Sequence, residues 1–199
     1  MRAARIAALS FAALLLPLAC KSNTGAYDAF NQADCLRSVV LTDQNGREVN
    51  LASLKGKPVL VDFIYTTCPG ECLMLTQKMA RVASRTPGDL TMVSITVDPE
   101  HDGPAQLAAY AKEQGVDDPR WLLLTGMPAT IDRVLNDFQL RRKRAADGTV
   151  EHIGGVFMLG PDGHEVREYD GKVVKAATMV DDLQHLLAHQ GGSTAPAGQ

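Results

Sequence analysis

The sequence predicts an α/β protein in which a mostly parallel sheet forms the centre of one domain. Residues 58–65 and 90–97 are near-continuous runs of β-branched, aliphatic and aromatic residues, a pattern typical of strands buried on both faces. Helical patterns follow both runs, so right-handed βαβ crossovers are expected. The 199 residues are 45% hydrophobic and 22% charged, which argues against a disordered chain and against a coiled coil.

The predicted elements alternate along the chain in a recognisable order. An N-terminal β-hairpin is expected around Asn45-Gly46, a strong two-residue turn signal. After the first buried strand, a helix is expected from Pro69 to about Ser84. A βαβ unit that ends in a β-hairpin and a helix has a thioredoxin-like outline, with the early hairpin and one inserted helix as additions. The other predicted elements are hairpin strands over 39–42 and 47–51, helices over 104–114, 129–138 and 175–189, and strands over 121–124, 154–159 and 165–169.

Residues 1–19 have the features of a signal peptide. Arg2 and Arg5 make a positive start, and residues 6–19 are apolar apart from Ser10. This apolar stretch fits a signal-peptide core of about 7–15 residues. It is shorter than the roughly 20 apolar residues that a membrane-spanning helix needs. The protein is therefore expected to be exported.

Cys20 follows the apolar stretch directly, as the lipidated cysteine of a bacterial lipobox does. This predicts a lipoprotein held on the periplasmic side of a membrane by its N-terminal lipid. Pro17 stands where a lipobox usually has leucine, and cleavage after Ala26 is the alternative. The net charge of −3 gives no basic surface, so no nucleic-acid partner is expected. The predicted organisation is a signal peptide (1–19), a tether (20–34), one domain (35–190) and a disordered tail (191–199).

The segment Cys68-Pro69-Gly70-Glu71-Cys72 stands where a buried strand ends and a helix begins. Proline favours the first helical position, so Cys68 is expected at the N-cap, with Glu71 reaching back to the cap. Both sulfurs would then lie at the positive end of the helix dipole, which favours thiolates. Cβ atoms four residues apart are about 5–6 Å from each other, which suits metal capture at least as well as a redox-active disulfide between Cys68 and Cys72.

Two further segments are expected at the same edge of the sheet. Asp98 follows the second buried strand, and loops after parallel strands gather where ligands bind. Glu100 and Asp102 fit a role at this site and a structural role equally well; in the structural interpretation they form a turn and helix start, with Asp102 as the cap before Pro104. His152 precedes a strand where thiol–disulfide reductases normally have a cis-proline, and an imidazole opposite two thiols makes a Cys2His metal site. The other histidines are interpreted as surface residues.

Together these motifs resemble those of the Sco (SenC) family. The resemblance covers about residues 39–187. It implies a thioredoxin-like fold and a periplasmic or membrane-tethered copper protein that helps to assemble the binuclear copper centre of cytochrome c oxidase. The segments that carry it are 63–72, 97–100, 121–126, His152 and 157–163.

The resemblance also implies roles for individual residues. It matches Cys68, Cys72 and His152 to the family's copper ligands, and Asp98 to the aspartate of its DPE motif near the copper. Two positions depart from the pattern, because Leu73 replaces a common proline and His101 a common arginine.

The expected function is that of a copper chaperone. Thiolates select Cu(I), and an added imidazole makes Cu(II) acceptable. The expected partner is the copper-site subunit of cytochrome c oxidase or another copper chaperone. The alternatives are a thiol–disulfide oxidoreductase that reduces the cysteines of a copper-site apoprotein, and a copper or redox sensor. Cys35 lies outside the motifs and is expected to be either a buried thiol or a regulatory one.

Overall fold

The computed structural model describes residues 34–86, 88, 90–146, 149–151 and 155–190. The predicted signal peptide, Cys20, most of the tether, His152 and the predicted tail lie outside these residues. Among the helices that are described, none is long and apolar enough to cross a membrane.

Seven strands form the central sheet in the order β2-β1-β5-β4-β3-β8-β9, and β6 pairs with β7 as a separate ribbon. The strands are β1 (Val40–Asp43), β2 (Glu48–Asn50), β3 (Val59–Ile64), β4 (Thr91–Thr96), β5 (Trp121–Thr125), β6 (Lys143–Arg144), β7 (Val150–Glu151), β8 (Gly155–Leu159) and β9 (Glu165–Asp170). The α-helices are α1 (Glu71–Ala83), α2 (Pro104–Glu113), α3 (Pro128–Asp137) and α4 (Ala176–Gln190).

The three central strands β3, β4 and β5 are parallel, as the two apolar runs predicted. All six residues of β3 are buried, because helices cover both faces of a parallel sheet. Their carboxyl ends meet at one edge, which we call the carboxyl edge; the opposite edge is the amino edge. The expected N-terminal hairpin is confirmed, and β1 extends the sheet by pairing antiparallel with β5.

The core differs between the two faces of the sheet. On one face, Phe63 meets Phe138 and Phe157 edge-on, with ring centroids 5.1 and 5.9 Å away. The other face holds a buried polar chain, in which Trp121 Nε1 donates to Ser94 Oγ at 2.9 Å and Ser94 Oγ donates to Asp62 Oδ1 at 2.5 Å. One face is therefore packed by aromatic rings. On the other face, the indole of Trp121 and the hydroxyl of Ser94 both have hydrogen-bond partners.

Helix α1 begins later than the sequence predicted. Gly70 is its N-cap, with a φ of 143°, so Cys68 and Pro69 lie in the preceding loop. The prediction that Cys68 caps the helix is wrong, because a left-handed glycine separates Pro69 from the helical backbone.

The ribbon of β6 and β7 was not predicted at all. Its strands have two residues each, and three of these four residues are exposed. Such short polar strands carry no apolar alternation that could reveal them in the sequence.

Candidate metal centre

Cys68 and Cys72 meet at the start of α1. The backbone N–H of Cys72 donates to Cys68 Sγ at 3.3 Å, so the first sulfur accepts a bond from the open end of the helix. Cys68 is half-buried, whereas Cys72 is 3% exposed. A ligand from solution therefore reaches Cys68 first. All three described cysteines, Cys35, Cys68 and Cys72, are free thiols.

A buried carboxylate fixes the loop that carries Cys68. Asp102 Oδ2 accepts from Thr66 N at 3.0 Å and from Thr96 Oγ1 at 2.6 Å, and Oδ1 accepts from Thr66 Oγ1 at 2.5 Å. The expectation that Asp102 caps the next helix is wrong, since Gly103 is the N-cap of α2. Asp102 instead ties the ends of β3 and β4 together. The available signal was the pair of threonines at the strand ends, since Thr96 ends β4 and Thr66 lies two residues after the end of β3.

The thiol of Cys72 is not poised as a thiolate in the metal-free protein. Burial raises the pKa of Cys72 well above its ordinary value, and the hydrogen-bonded Cys68 raises it further. The expected thiolate is not found at Cys72, because a backbone hydrogen bond with Tyr65, which lowers the pKa, does not offset the loss of water around the sulfur.

Tyr65 connects Cys68 to the ribbon that precedes residue 152. Its phenol hydrogen-bonds with the Cys68 side chain and accepts from the backbone N–H of Val150 in β7. Burial, followed by the neighbouring Cys68, raises the pKa of Tyr65 to about 12. The neutral phenol thus joins the cysteine loop to a residue two positions before His152.

Asp98 lies at the carboxyl edge, as predicted, but its described partners are not the cysteines. Its carboxylate is 3% exposed and pairs with His101 Nδ1 at 2.9 Å and with Arg144. Its backbone N–H donates to Thr96 Oγ1 at 2.9 Å. Of Glu71 only the backbone is described, so the reach of its side chain remains a prediction.

A second buried carboxyl, Asp62, escaped the sequence analysis. It is fully buried on β3, and burial raises its pKa to about 7. Oδ1 accepts from Ser94, whereas Oδ2 has no hydrogen-bond partner among the described residues. The charge of Asp62 also contributes to the raised pKa of Cys72. Its place inside an apolar strand was the available signal.

Cys35 lies at the amino edge, away from the pair. Its backbone N–H donates to Gly163 O at 3.1 Å in the turn between β8 and β9, and its Sγ lies 3.7 Å from Asp137 O. It is 1% exposed, and burial raises its pKa to about 12. The interpretation of Cys35 as a buried thiol is confirmed. Among the described residues, no three His, Cys, Asp or Glu side chains cluster to hold a metal ion.

A thioredoxin-like sheet with two free thiols at the junction between β3 and α1 defines a class of thioredoxin-like proteins that carry a cysteine pair at this position. The SCO1/SenC family model matches residues 29–188, and the chain belongs to this family.

Three solved structures illustrate the likeness. A SCO1/SenC family lipoprotein from Bacillus anthracis is 28% identical, with a TM-score of 0.74 over 81% of this chain and 99% of its own. Bradyrhizobium japonicum ScoI with copper bound is 31% identical, with a TM-score of 0.58 over 74% and 96%. BsSco, a member of the Sco family of cytochrome c oxidase assembly proteins with a disulfide switch, is 26% identical, with a TM-score of 0.67 over 77% and 94%.

Proposed function

We propose that this protein is a copper chaperone that binds its cargo through Cys68, Cys72 and His152 and delivers it to the copper-site subunit of cytochrome c oxidase. The observation that carries the proposal is the placement of the two thiols. The half-buried Cys68 accepts the N–H of Cys72 and, through Tyr65, adjoins the strand that leads to residue 152.

The chemistry of the ligands supports copper. Two sulfurs suit Cu(I), and an imidazole nitrogen adds the harder donor that Cu(II) prefers. ScoI from Bradyrhizobium japonicum, which shares the fold and 31% of its residues with this chain, has copper bound. BsSco belongs to a family of cytochrome c oxidase assembly proteins, which supports the proposed recipient.

The unequal burial of the sulfurs suits a protein that must both hold and release copper. Cys68 is open enough for a partner's ligand to displace it, whereas Cys72 is enclosed. Copper must also displace the proton of each thiol. Because burial raises the pKa of Cys72, loading should release protons and weaken as the pH falls.

A thiol–disulfide oxidoreductase is the second candidate, and the difference in exposure between the two cysteines favours it specifically. The accessible Cys68 would attack a partner's disulfide, and Cys72 would then close the Cys68–Cys72 disulfide. The pair loses two electrons and two protons, which reduce the partner's disulfide to two thiols. A disulfide switch in BsSco supports this chemistry in a relative.

The test is copper binding by single-site variants of the mature protein. Anaerobic Cu(I) competition and Cu(II) absorption are measured for Cys68→Ala, Cys72→Ala and His152→Ala. Either cysteine variant should bind both oxidation states poorly. His152→Ala should keep most Cu(I) binding, because two thiolates suffice for Cu(I), and lose most Cu(II) binding.

His164→Ala is the matched control, since this half-exposed imidazole lies in the turn between β8 and β9 at the amino edge. It should bind copper as the wild type does. A His152→Ala variant with wild-type Cu(II) affinity would remove His152 from the site. If that variant altered only the reduction potential of the dithiol, the oxidoreductase would be the better description.

We also propose that Cys20 carries a lipid that anchors the mature protein on the periplasmic side of a membrane. The apolar stretch that ends directly before Cys20 supports this, and the Bacillus anthracis relative is a lipoprotein. Mass spectrometry of membrane-extracted protein should find a lipidated Cys20 at the N-terminus. A soluble form that begins at Tyr27 would contradict it, and Cys20→Ser should block maturation without altering copper binding by the domain.

A further inference from the structure

We propose that Leu73, Met74 and Val173 form an apolar surface on which the copper-exchanging partner protein docks while it reaches Cys68. We call these three residues the docking patch. The inference rests on the proposed function, because it names the surface that the partner of the proposed copper site contacts.

The exposed apolar side chains of this protein are unevenly distributed. Five large hydrophobic side chains are exposed among the described residues, and all five stand at the carboxyl edge. A single exposed apolar residue is ordinary on a protein surface, whereas a group of them around a site marks an interaction surface. The five are Val40, Leu73, Met74, Met127 and Val173.

The topology of the sheet places each of these residues at that edge. Leu73 and Met74 lie in the first turn of α1, which follows β3, and Met127 stands between β5 and α3. Val173 follows β9, which runs parallel to β3 because both strands pair antiparallel with β8. Val40 begins β1, and the antiparallel pairing of β1 with β5 puts this first residue at the same edge.

A lysine holds Val173 close to Met74. Lys78 lies one helical turn after Met74 on the same face of α1. Its Nζ donates to the carbonyls of residues 171 and 172, in the turn that carries Val173, at 2.7 and 3.0 Å. Met74 is 56% exposed and Val173 is 74% exposed, so the start of α1 and this turn together present an apolar surface to solvent.

The docking patch adjoins the sulfur that solvent can reach. Cys68 is half-buried, and its Sγ accepts from the backbone N–H of Cys72, the residue directly before Leu73. Metal–thiolate bonds are short, about 2.3 Å for zinc. A partner's ligand can therefore take copper from Cys68 only when the partner contacts the surface around this sulfur. Leu73 replaces a proline that is common in the family, so part of the patch is particular to this chain.

The charges around the patch indicate the chemistry of the partner. Lys172 and Lys175 are exposed and flank Val173, in a chain with 23 acidic and 20 basic residues. The one carboxylate between residues 170 and 175, that of Asp170, accepts from the backbone N–H of Lys172 at 2.8 Å. Protein interfaces combine an apolar centre with a polar rim. The occupant is therefore a protein with an apolar surface that is bordered by carboxylates.

The chain enters the domain at the edge opposite the patch, which favours a protein over a lipid surface as the occupant. Asp34 pairs with His164, and the backbone N–H of Cys35 donates to Gly163 O, both in the turn between β8 and β9 at the amino edge. A lipid on Cys20 therefore draws the amino edge towards the membrane and leaves the docking patch facing away from it.

The first experiment measures anaerobic Cu(I) transfer from the mature protein to the metal-free copper-site subunit of cytochrome c oxidase from the same organism. The double variant Met74→Gln, Val173→Thr keeps the size of both side chains and makes them polar. Transfer should become roughly 10-fold slower, the effect expected when residues at the centre of an interface are changed. Cu(I) affinity and the release of Cu(I) to a small chelator, which needs no docking surface, should equal those of the wild type.

The double variant Met127→Gln, Val40→Thr is the matched control. It makes the same two changes at exposed residues of the same edge, but beside β5 and in β1, which lie two and three strands from β3. It should transfer Cu(I) at the wild-type rate, and equal slowing of both double variants would overturn the docking patch. Added NaCl should slow wild-type transfer, because it screens the attraction between lysines and carboxylates. A rate that does not depend on salt would overturn the acidic border of the partner.

The second experiment identifies what covers the patch. Met74 and Met127 are exposed, whereas Met79 and Met92 are 0% exposed, so the chain's own methionines report accessibility. Metal-free protein is treated with dilute peroxide, and methionine sulfoxide is measured by peptide mass spectrometry. The copper-site subunit should protect Met74 and leave Met127 reactive.

The remaining outcomes separate the docking patch from the proposed function. Protection of Met74 by vesicles of phosphatidylethanolamine and phosphatidylglycerol alone would show that lipid covers the patch. Protection on raising the concentration of this protein alone would show that a second copy covers it, and either result overturns the inference. Wild-type transfer by Met74→Gln, Val173→Thr overturns the patch and leaves the copper site intact. A wild type that binds Cu(I) but passes none to the subunit overturns both the proposed recipient and its docking patch.

Discussion

A cysteine at the amino edge of the central sheet and a cysteine at its carboxyl edge have opposite environments. At the amino edge, Cys35 is enclosed, contacts the carbonyl of Asp137, and has a pKa raised to about 12 mainly by burial. At the carboxyl edge, Cys68 is half-buried and accepts the N–H of Cys72 from an open helix start. The difference shows that the exposure and the hydrogen bonding of a cysteine in this protein depend on the edge of the sheet at which it lies.

The buried carboxylates on the cysteine side of the molecule divide in a similar way. Asp102 accepts three hydrogen bonds from Thr66 and Thr96, and it holds the cysteine loop. Asp62 accepts one side-chain bond, from Ser94, and burial raises its pKa to about 7. Asp62 has fewer hydrogen-bond donors around it than Asp102, and burial raises its pKa because little offsets the loss of water around the carboxyl.

The largest expected effect concerns Asp62 and pH. Below about pH 4 the carboxyl is protonated in both states, and its contribution to stability is fully present. As the pH rises towards 7, the unfolded chain ionises while the folded state keeps the proton. Stability should therefore fall by about 1.4 kcal/mol per pH unit, or roughly 4 kcal/mol by pH 7.

Asp62→Asn does not titrate, so this loss should be missing from the variant. Urea unfolding at pH 4, 5.5 and 7 should show the stability of the variant rising relative to the wild type across this range. Parallel stability profiles for the two proteins would contradict the raised pKa of Asp62.

The second effect is a difference in Cu(I) affinity between a cysteine variant at the carboxyl edge and one at the amino edge. Cys68→Ser should weaken Cu(I) binding roughly 10²-fold, since each ligand of a typical structural metal site contributes about 3 kcal/mol. Cys35→Ser should leave Cu(I) affinity unchanged, because Cys35 lies at the amino edge. Anaerobic competition with a Cu(I) chelator measures both variants. Equal losses would mean that the site is wrongly placed.

The third effect tests how the cysteine loop is held. Asp102→Asn should destabilise the fold by about 2 kcal/mol, because charge-assisted bonds to Thr66 and Thr96 are weakened. It should also speed the alkylation of Cys68 in the folded protein. Asp43→Asn is the control, since Asp43 accepts from the backbone of Asn45 and Arg47 in the N-terminal hairpin. That variant should lose stability while Cys68 alkylation stays at the wild-type rate.

The smallest effect belongs to Cys35. Cys35→Ala should cost about 1 kcal/mol of stability, because a buried sulfur is removed from a packed site. Chemical denaturation measures the loss, and copper loading should not change. Rapid alkylation of Cys35 in the folded wild-type protein would contradict its burial and would revive a regulatory role.

Much of the fold could be predicted because its signals are local. The apolar runs predicted β3 and β4, and Asn45-Gly46 predicted the first hairpin. The start of α1 was misplaced because a proline signal competed with a left-handed glycine, and φ at Gly70 depends on the surrounding loop. The β6–β7 ribbon escaped because two-residue strands have no period.

The sequence by itself determined the order along the chain of the main strands and helices, and it placed Cys68 and Cys72 at a strand-to-helix junction. It also determined that the cysteine pair belongs to a set of motifs that resembles those of the Sco (SenC) family. These features depend on residues close together in the chain, so spacing and periodicity carry them.

Only the tertiary structure decided which charged groups meet. Asp102 accepts a hydrogen bond from Thr66, which is 36 residues away in the sequence. Arg142 pairs with Glu100 at a separation of 42 residues, and Arg144 pairs with Asp98 at a separation of 46. No local pattern encodes such pairs, because they form where separate loops converge at one edge of the sheet. The same convergence decides burial, which raises the pKa of Cys72 and Asp62 and leaves Cys68 within reach of solvent.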